Sequence, residues 1–163
     1  MMHNVILAVI SLLLTSALSV QAVNAAEPTK GKFITIDGTS LVGENGKPYY
    51  IVGTNLGNWL NPEGYMFGFK KTNCEWMINE MVCEMTGPDA AREFWQKFKD
   101  DYITEDDIAF ISKCGANTIR LPFNYKLFTA EDYMGMNDPQ EGFRLMDKVI
   151  GWAKKYGLHV ILD

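Results

Sequence analysis

Three groups of residues have the types and spacing to do chemistry. Arg120 sits inside a short, otherwise apolar run, "TIRLP" (Thr118–Pro122). A guanidinium stays charged, and burying it alone is costly, so the position calls for a carboxylate held in its planar fork. Such an arginine either orients a reacting carboxylate or closes a structural ion pair. The second group is "TNLGNWLNPEGYMF" (Thr54–Phe67), where Trp59, Tyr65 and Phe67, with Phe69 and Trp76 just beyond, accompany Asn55, Asn58, Asn61 and Glu63. Flat rings suit the apolar face of a sugar, and amides and carboxylates suit its hydroxyls. The competing reading is a satellite core that packs this loop on itself. The third is Asp163, which closes the apolar strand "HVILD" and is either a strand-end cap or a functional contact. No metal or cofactor is expected. No HExxH or CxxC occurs, and past the leader the remaining histidine is His159, on an apolar strand. The glycines of "GTNLGNWLNPEG" do not follow GxGxxG spacing.

The elements that must position these residues are legible around them. "KFITI" (Lys32–Ile36) alternates as a strand, "DGTS" and "ENGKP" turn the chain, and "YYIVGTNL" (Tyr49–Leu56) reads as a second, better-buried strand. Helical spacing begins at Pro88, with Ala91, Phe94, Trp95, Phe98 and Tyr102 on one face. Thr104 and Asp107 suit a capping box, and Ile103 and Ile108 a hydrophobic staple across it. Met77, Met81 and Met85 are spaced as a packing stripe, and Phe143, Met146, Val149, Ile150 and Ala153 as a helix face over 140–156. "ISKCGANTIRLP" and "WAKKYGLHVILD" repeat one design: a helix end, a glycine stop at Gly115 or Gly157, then a short strand. Strands separated by helices run parallel and need both faces covered. Without a nucleotide-binding glycine loop, the expectation is an α/β chain that forms the N-terminal portion of a TIM (β/α)8 barrel. It comprises about three βα units and a leading β-hairpin, and a complete barrel takes about 250 residues.

Residues 1–25 have the layout of a signal peptide, with an uncharged apolar stretch from Val5 to Val20 and small residues at Val23 and Ala25. The alternative, an uncleaved anchor, is disfavoured because hydroxyl-bearing residues interrupt the run and a spanning helix wants roughly 20 apolar residues. Residues 26–163 would then be an exported portion, periplasmic or extracellular, without stable membrane insertion after cleavage. A net charge of −5 with mixed signs argues against nucleic acid as a partner. Export permits disulfides. Cys74 and Cys83 close a short loop, so both a bridge and free thiols remain open, and Cys114 is expected to be buried.

These corners resemble the N-terminal third of glycoside hydrolase family 5, the cellulase-like (β/α)8 glycosidases. "IVGTNLGNWL", "FWQKFKDDYITEDDIAFISKCGANTIRLPFNY" and "GFRLMDKVIGWAKKYGLHVILD" carry the likeness. "GANTIRLPF" looks like the family's G-x-N-x-[IV]-R-[IL]-P motif, which puts Arg120 in the place of its active-site arginine. "NLGNWLNPE" is similar to N-L-G-G-W-L-x-x-E of the exo-β-glucanase-like branch. That likeness implies a terminal-sugar contact for Glu63, with Asn58 replacing the branch's second glycine. The leading hairpin resembles one that plugs the bottom of these barrels.

The resemblance implies hydrolysis of β-linked glucan-type polysaccharide with retention by two glutamates about 5–5.5 Å apart. The family carries them at the ends of strands four and seven, which lie beyond Asp163. Arg120 is therefore a supporting catalytic residue that orients a carboxylate, and Glu63, Trp59, Asn58 and Asp163 are the expected substrate-binding positions. Glu131 and Glu141 are not assigned catalytic roles. The segment by itself is expected to be inactive. The rival reading is a non-catalytic glycan-binding protein on a barrel scaffold, distinguished by whether Asn-Glu follows the fourth strand.

Overall fold

The computed structural model describes residues 33–163. The expected signal peptide at residues 1–25 lies outside the described residues. The described residues divide into two compact units, one ending at Tyr49 and one spanning Tyr50–Asp163.

In the first unit, β1 (Thr35–Asp37) and β2 (Ser40–Val42) form an antiparallel hairpin with Ile36 opposite Leu41. The ladder starts three residues later than "KFITI" suggests. A second turn follows at Asn45-Gly46, where the Lys47 amide donates to Asn45 Oδ1 at 2.9 Å.

In the second unit, β3 (Gly53–Asn55), β4 (Thr118–Leu121) and β5 (His159–Leu162) form a sheet in that spatial order, with both pairings parallel. This is the βα arrangement expected from the repeated glycine stops. Gly53 is where β3 and β4 approach most closely, since a Cβ there would stand 1.8 Å from the Thr118 carbonyl oxygen. Asn117 fixes the lower ends of all three strands. Its Oδ1 accepts from the Val52 amide at 3.0 Å, its Nδ2 donates to the Tyr50 carbonyl at 2.8 Å, and its carbonyl accepts from the His159 amide at 2.8 Å.

The helices are α1 (Glu75–Thr86), α2 (Pro88–Asp101), α3 (Glu105–Lys113) and α4 (Glu141–Lys155). Pro88 opens α2, and its buried face is Ala91, Trp95 and Lys99. Asp107 accepts from the Thr104 amide at 2.7 Å, and Ile108 is buried beneath that cap. Gly115 and Gly157 take φ of 90° and 71° and stop α3 and α4 in the left-handed conformation. The core gathers Ile119 and Leu121 of β4 with Ile108, Leu145, Met146, Val149 and Ala153 of the covering helices. Each such aliphatic side chain contributes about 1.5–3 kcal/mol on burial.

Several expectations are corrected. Of the strand read over Tyr49–Leu56, only Gly53–Asn55 forms a regular strand, and these residues are exposed because β3 is an edge of the sheet. The methionine stripe is not the buried face of α1: Ile78 and Val82 are, while Met85 is exposed. Phe143 and Ile150 of α4 are exposed, and Leu145 takes the core position between them. Cys114 is exposed, and Cys74 and Cys83 are free thiols. Cys74 caps the start of α1 and Cys83 lies in its last turn, and at about 1.5 Å rise per residue a helix holds them too far apart to bridge.

Candidate functional site

The C-terminal ends of the three parallel strands bring Asn55, Arg120 and Asp163 side by side. Asn55 is registered opposite Arg120, and Asp163 directly follows β5. Alternation along β4 explains the row: Ile119 and Leu121 point to the core, so Arg120 between them points the other way. Its Nη1 donates to Asn55 Oδ1 at 2.8 Å, and its Nη2 pairs with the Asp163 carboxylate. The partner that the arginine calls for is thus Asp163 itself. The pair is 44% and 53% exposed, so water shares both groups and their charges remain available to a ligand. Backbone bonds lock the strand ends: the Leu56 amide donates to the Arg120 carbonyl at 2.9 Å and the Phe123 amide to that of Asp163 at 2.9 Å.

Glu63 flanks this row. A Cβ placed on Gly57 would lie 3.1 Å from Asn55 Nδ2 and 3.7 Å from Glu63 Oε1, so the bare glycine lets the two polar groups converge. Asn58 positions Glu63 through its Oδ1, which accepts from the Glu63 amide at 2.8 Å. Exposed Tyr65 hydrogen-bonds the Glu63 carboxylate. The negative charge of Glu63, followed by that hydrogen bond, raises the pKa of the Tyr65 hydroxyl, which therefore stays protonated as a donor. An open groove of about 350 Å³ lies alongside, lined by Asn55, Leu56, Gly57, Met66, Tyr102 and Phe110 among others. The corner offers an amide, a guanidinium, two carboxylates and a phenol: polar groups suited to a polyhydroxylated ligand.

Two of the expected binding residues are buried and hydrogen-bonded to the scaffold. Trp59 is wholly enclosed, and its Nε1 donates to the Lys99 carbonyl at 2.9 Å, so its ring has no free face for a sugar. Asn58 is also buried, and its Nδ2 donates to the Tyr102 hydroxyl at 3.3 Å. Its φ of 64° accounts for an asparagine where the similar motif has glycine, because asparagine tolerates the left-handed conformation better than most residues. Phe67 and Phe69 stack on each other at 6.0 Å, and Phe67 meets Phe98 at 5.3 Å. Phe67 and Phe69 thus pack with α2 against the main core, and Tyr65 and Trp76 remain exposed.

Sequence reasoning passed over a charged cluster between the two loops. Lys99 and Glu141 pair at 3.1 Å in the interior. Glu75 accepts from the Met134 amide at 2.7 Å, and burial raises its carboxyl pKa against the opposing pull of that bond and of Lys126. The Tyr133 hydroxyl pKa is raised too, by burial and then by Glu75. Lys99 follows the spacing of Ala91 and Trp95 along α2, the one signal in the sequence that it faces inward.

A family model described as cellulase (glycosyl hydrolase family 5) matches residues 60–163. A β-xylosidase of Phanerodontia chrysosporium is 33% identical over 80% of this chain and 27% of that protein. A probable glucan endo-1,6-beta-glucosidase B of Aspergillus flavus is 36% identical over 83% of this chain and 36% of that protein. The chain therefore spans about a third of the length of these relatives. The solved rutinosidase from Aspergillus niger superposes with a TM-score of 0.52 at 21% identity, over 71% of this chain and 32% of that one. The fold is the N-terminal portion of a (β/α)8 barrel.

Proposed function

The chain belongs to the cellulase family, glycosyl hydrolase family 5, and from that premise we propose that it forms the sugar-binding corner of an exported hydrolase of β-linked glucan. Curated relatives include a glucan 1,3-beta-glucosidase of Kluyveromyces lactis, which supports a glucan as the substrate class. The observation that carries the reading is the row Asn55–Arg120–Asp163 across three strand ends, with Glu63 and Tyr65 beside it. Glu63 accepts hydroxyl hydrogens of a sugar, and Arg120 fixes carboxylates at the mouth. By the family likeness the two glutamates of a retaining cleavage stand on later strands, and this segment is proposed to contribute sugar contacts rather than the cleaving groups. Residues 1–25 are a signal peptide in this reading, and N-terminal sequencing of the exported product starting at Ala26 would support it.

Calorimetric titration of the full chain with β-1,3-, β-1,6- and β-1,4-linked gluco-oligosaccharides tests the proposal. Binding that weakens at least fivefold in Glu63→Gln, with no release of reducing sugar by either protein, is the expected result. No binding of any of these sugars, or hydrolysis that responds to substitutions in this chain, overturns it.

A further inference from the structure

The Lys99–Glu141 pair is not explained by stability. Its side chains are 1% and 3% exposed, and Lys99 Nζ is the one buried side-chain nitrogen or oxygen among the described residues without a hydrogen bond of acceptable geometry. Two charges have left water for a contact at 3.1 Å that is not an aligned hydrogen bond. An apolar pair of similar volume would hold the helices as well or better. What an ion pair adds is register: sliding either helix leaves a charge alone in the interior, whereas an apolar contact tolerates the slip. Arg144 secures the other side of the pair, donating to Glu141 Oε2 at 2.9 Å.

The helix held in this way grips the candidate site. Lys99 lies in α2, and the Lys99 carbonyl accepts from the Trp59 indole at 2.9 Å. Three residues on, the Tyr102 hydroxyl accepts from Asn58 Nδ2 at 3.3 Å. Asn58 then holds the Glu63 amide at 2.8 Å. Adjacent residues of the first loop, Trp59 and Asn58, are thus fastened to the last turn and the C-cap of α2, and Asn58 in turn holds Glu63. Glu141 opens α4, the helix that follows the second loop.

We infer that Lys99 and Glu141 are positioning residues that fix the register of α2 against α4 and, through Trp59 and Asn58, set where Glu63 presents its carboxylate. The functional part of this inference rests on the sugar-contacting role proposed above for Glu63. The pair couples the two loops that follow β3 and β4, so the binding corner is preorganised by a contact that touches no ligand.

The test uses the full chain with Lys99→Met/Glu141→Leu, and with Glu141→Gln as a milder variant. Amide and indole hydrogen exchange is read by NMR, and affinity by titration with the gluco-oligosaccharide that the parent binds best. In the double variant the expected result is at least tenfold faster exchange at the Glu63 amide and the Trp59 indole. The Ile119 amide, in the sheet core, should be unchanged, and affinity should fall at least fivefold. Glu141→Gln should move the same readouts less, and it decides the matter alone if the double variant does not fold. Unchanged exchange at Glu63 overturns the inference. Faster exchange with unchanged affinity upholds the positioning and removes Glu63 from the sugar site. A parent that binds no sugar defeats the functional reading, while exchange still decides the positioning.

Discussion

Two ion pairs tie together parts of this chain that are far apart in sequence, and their settings are opposite. Arg120–Asp163 joins the tips of neighbouring strands in contact with water. Lys99–Glu141 joins two helices in the interior. The first retains its solvation, contributes little to stability and leaves its charges free to meet a ligand. The second has exchanged hydration for position, and removing one partner leaves the other under-compensated in the interior. Ion pairs of similar chemistry thus serve a binding surface in one place and the alignment of that surface in the other.

Single substitutions should reveal the contrast, from large effects to small. Lys99→Ala leaves Glu141 buried with only Arg144 for a partner, and should cost about 3–5 kcal/mol by urea denaturation. Asn58→Ala removes two hydrogen bonds from a buried left-handed residue and should cost about 2 kcal/mol. Asn58→Gly should lose the bonds without adding strain, so a glycine variant no more stable than the alanine one would contradict this account of Asn58.

Glu75 gives a pH test. Burial raises its folded-state pKa above the unfolded value. Its contribution is therefore complete below the unfolded pKa and is lost as pH rises through the folded pKa. Glu75→Gln escapes that loss, so its stability relative to the parent should grow from pH 4 to pH 7 in parallel melts. The smallest effect on stability belongs to Arg120→Lys, at under about 1 kcal/mol. Its oligosaccharide affinity should nonetheless fall several-fold, because an ammonium cannot hold Asn55 and Asp163 in one plane. A large stability loss there would erase the distinction between the two pairs.

The helices from Pro88 onward and the parallel strands were legible because their signals are local, whereas α1, in a stretch that reads as irregular before Pro88, was not. Pro88, the Thr104–Asp107 cap and the stops at Gly115 and Gly157 act within one turn of themselves, and the structure keeps each of them. Arg120 was legible as needing a carboxylate because a lone charge in an apolar strand states its own requirement. The roles of the loop aromatics were not legible. Trp59 and Tyr65 sit in the same run of sequence, yet one is enclosed under Lys99 and the other is exposed beside Glu63. Cys114 was misread for a related reason, since its position after α3 does not reveal that this helix end faces solvent.

The sequence by itself determined the order of elements from Pro88 onward, the parallel sense of the sheet and the presence of a cation at the end of its middle strand, because periodicity, caps and glycine stops depend on neighbours a few residues away. Tertiary structure alone decided which carboxylate meets that cation, which rings are buried and that Lys99 is an interior charge. Those outcomes depend on contacts between segments distant in the chain, and burial is a property of what packs over a residue rather than of its type.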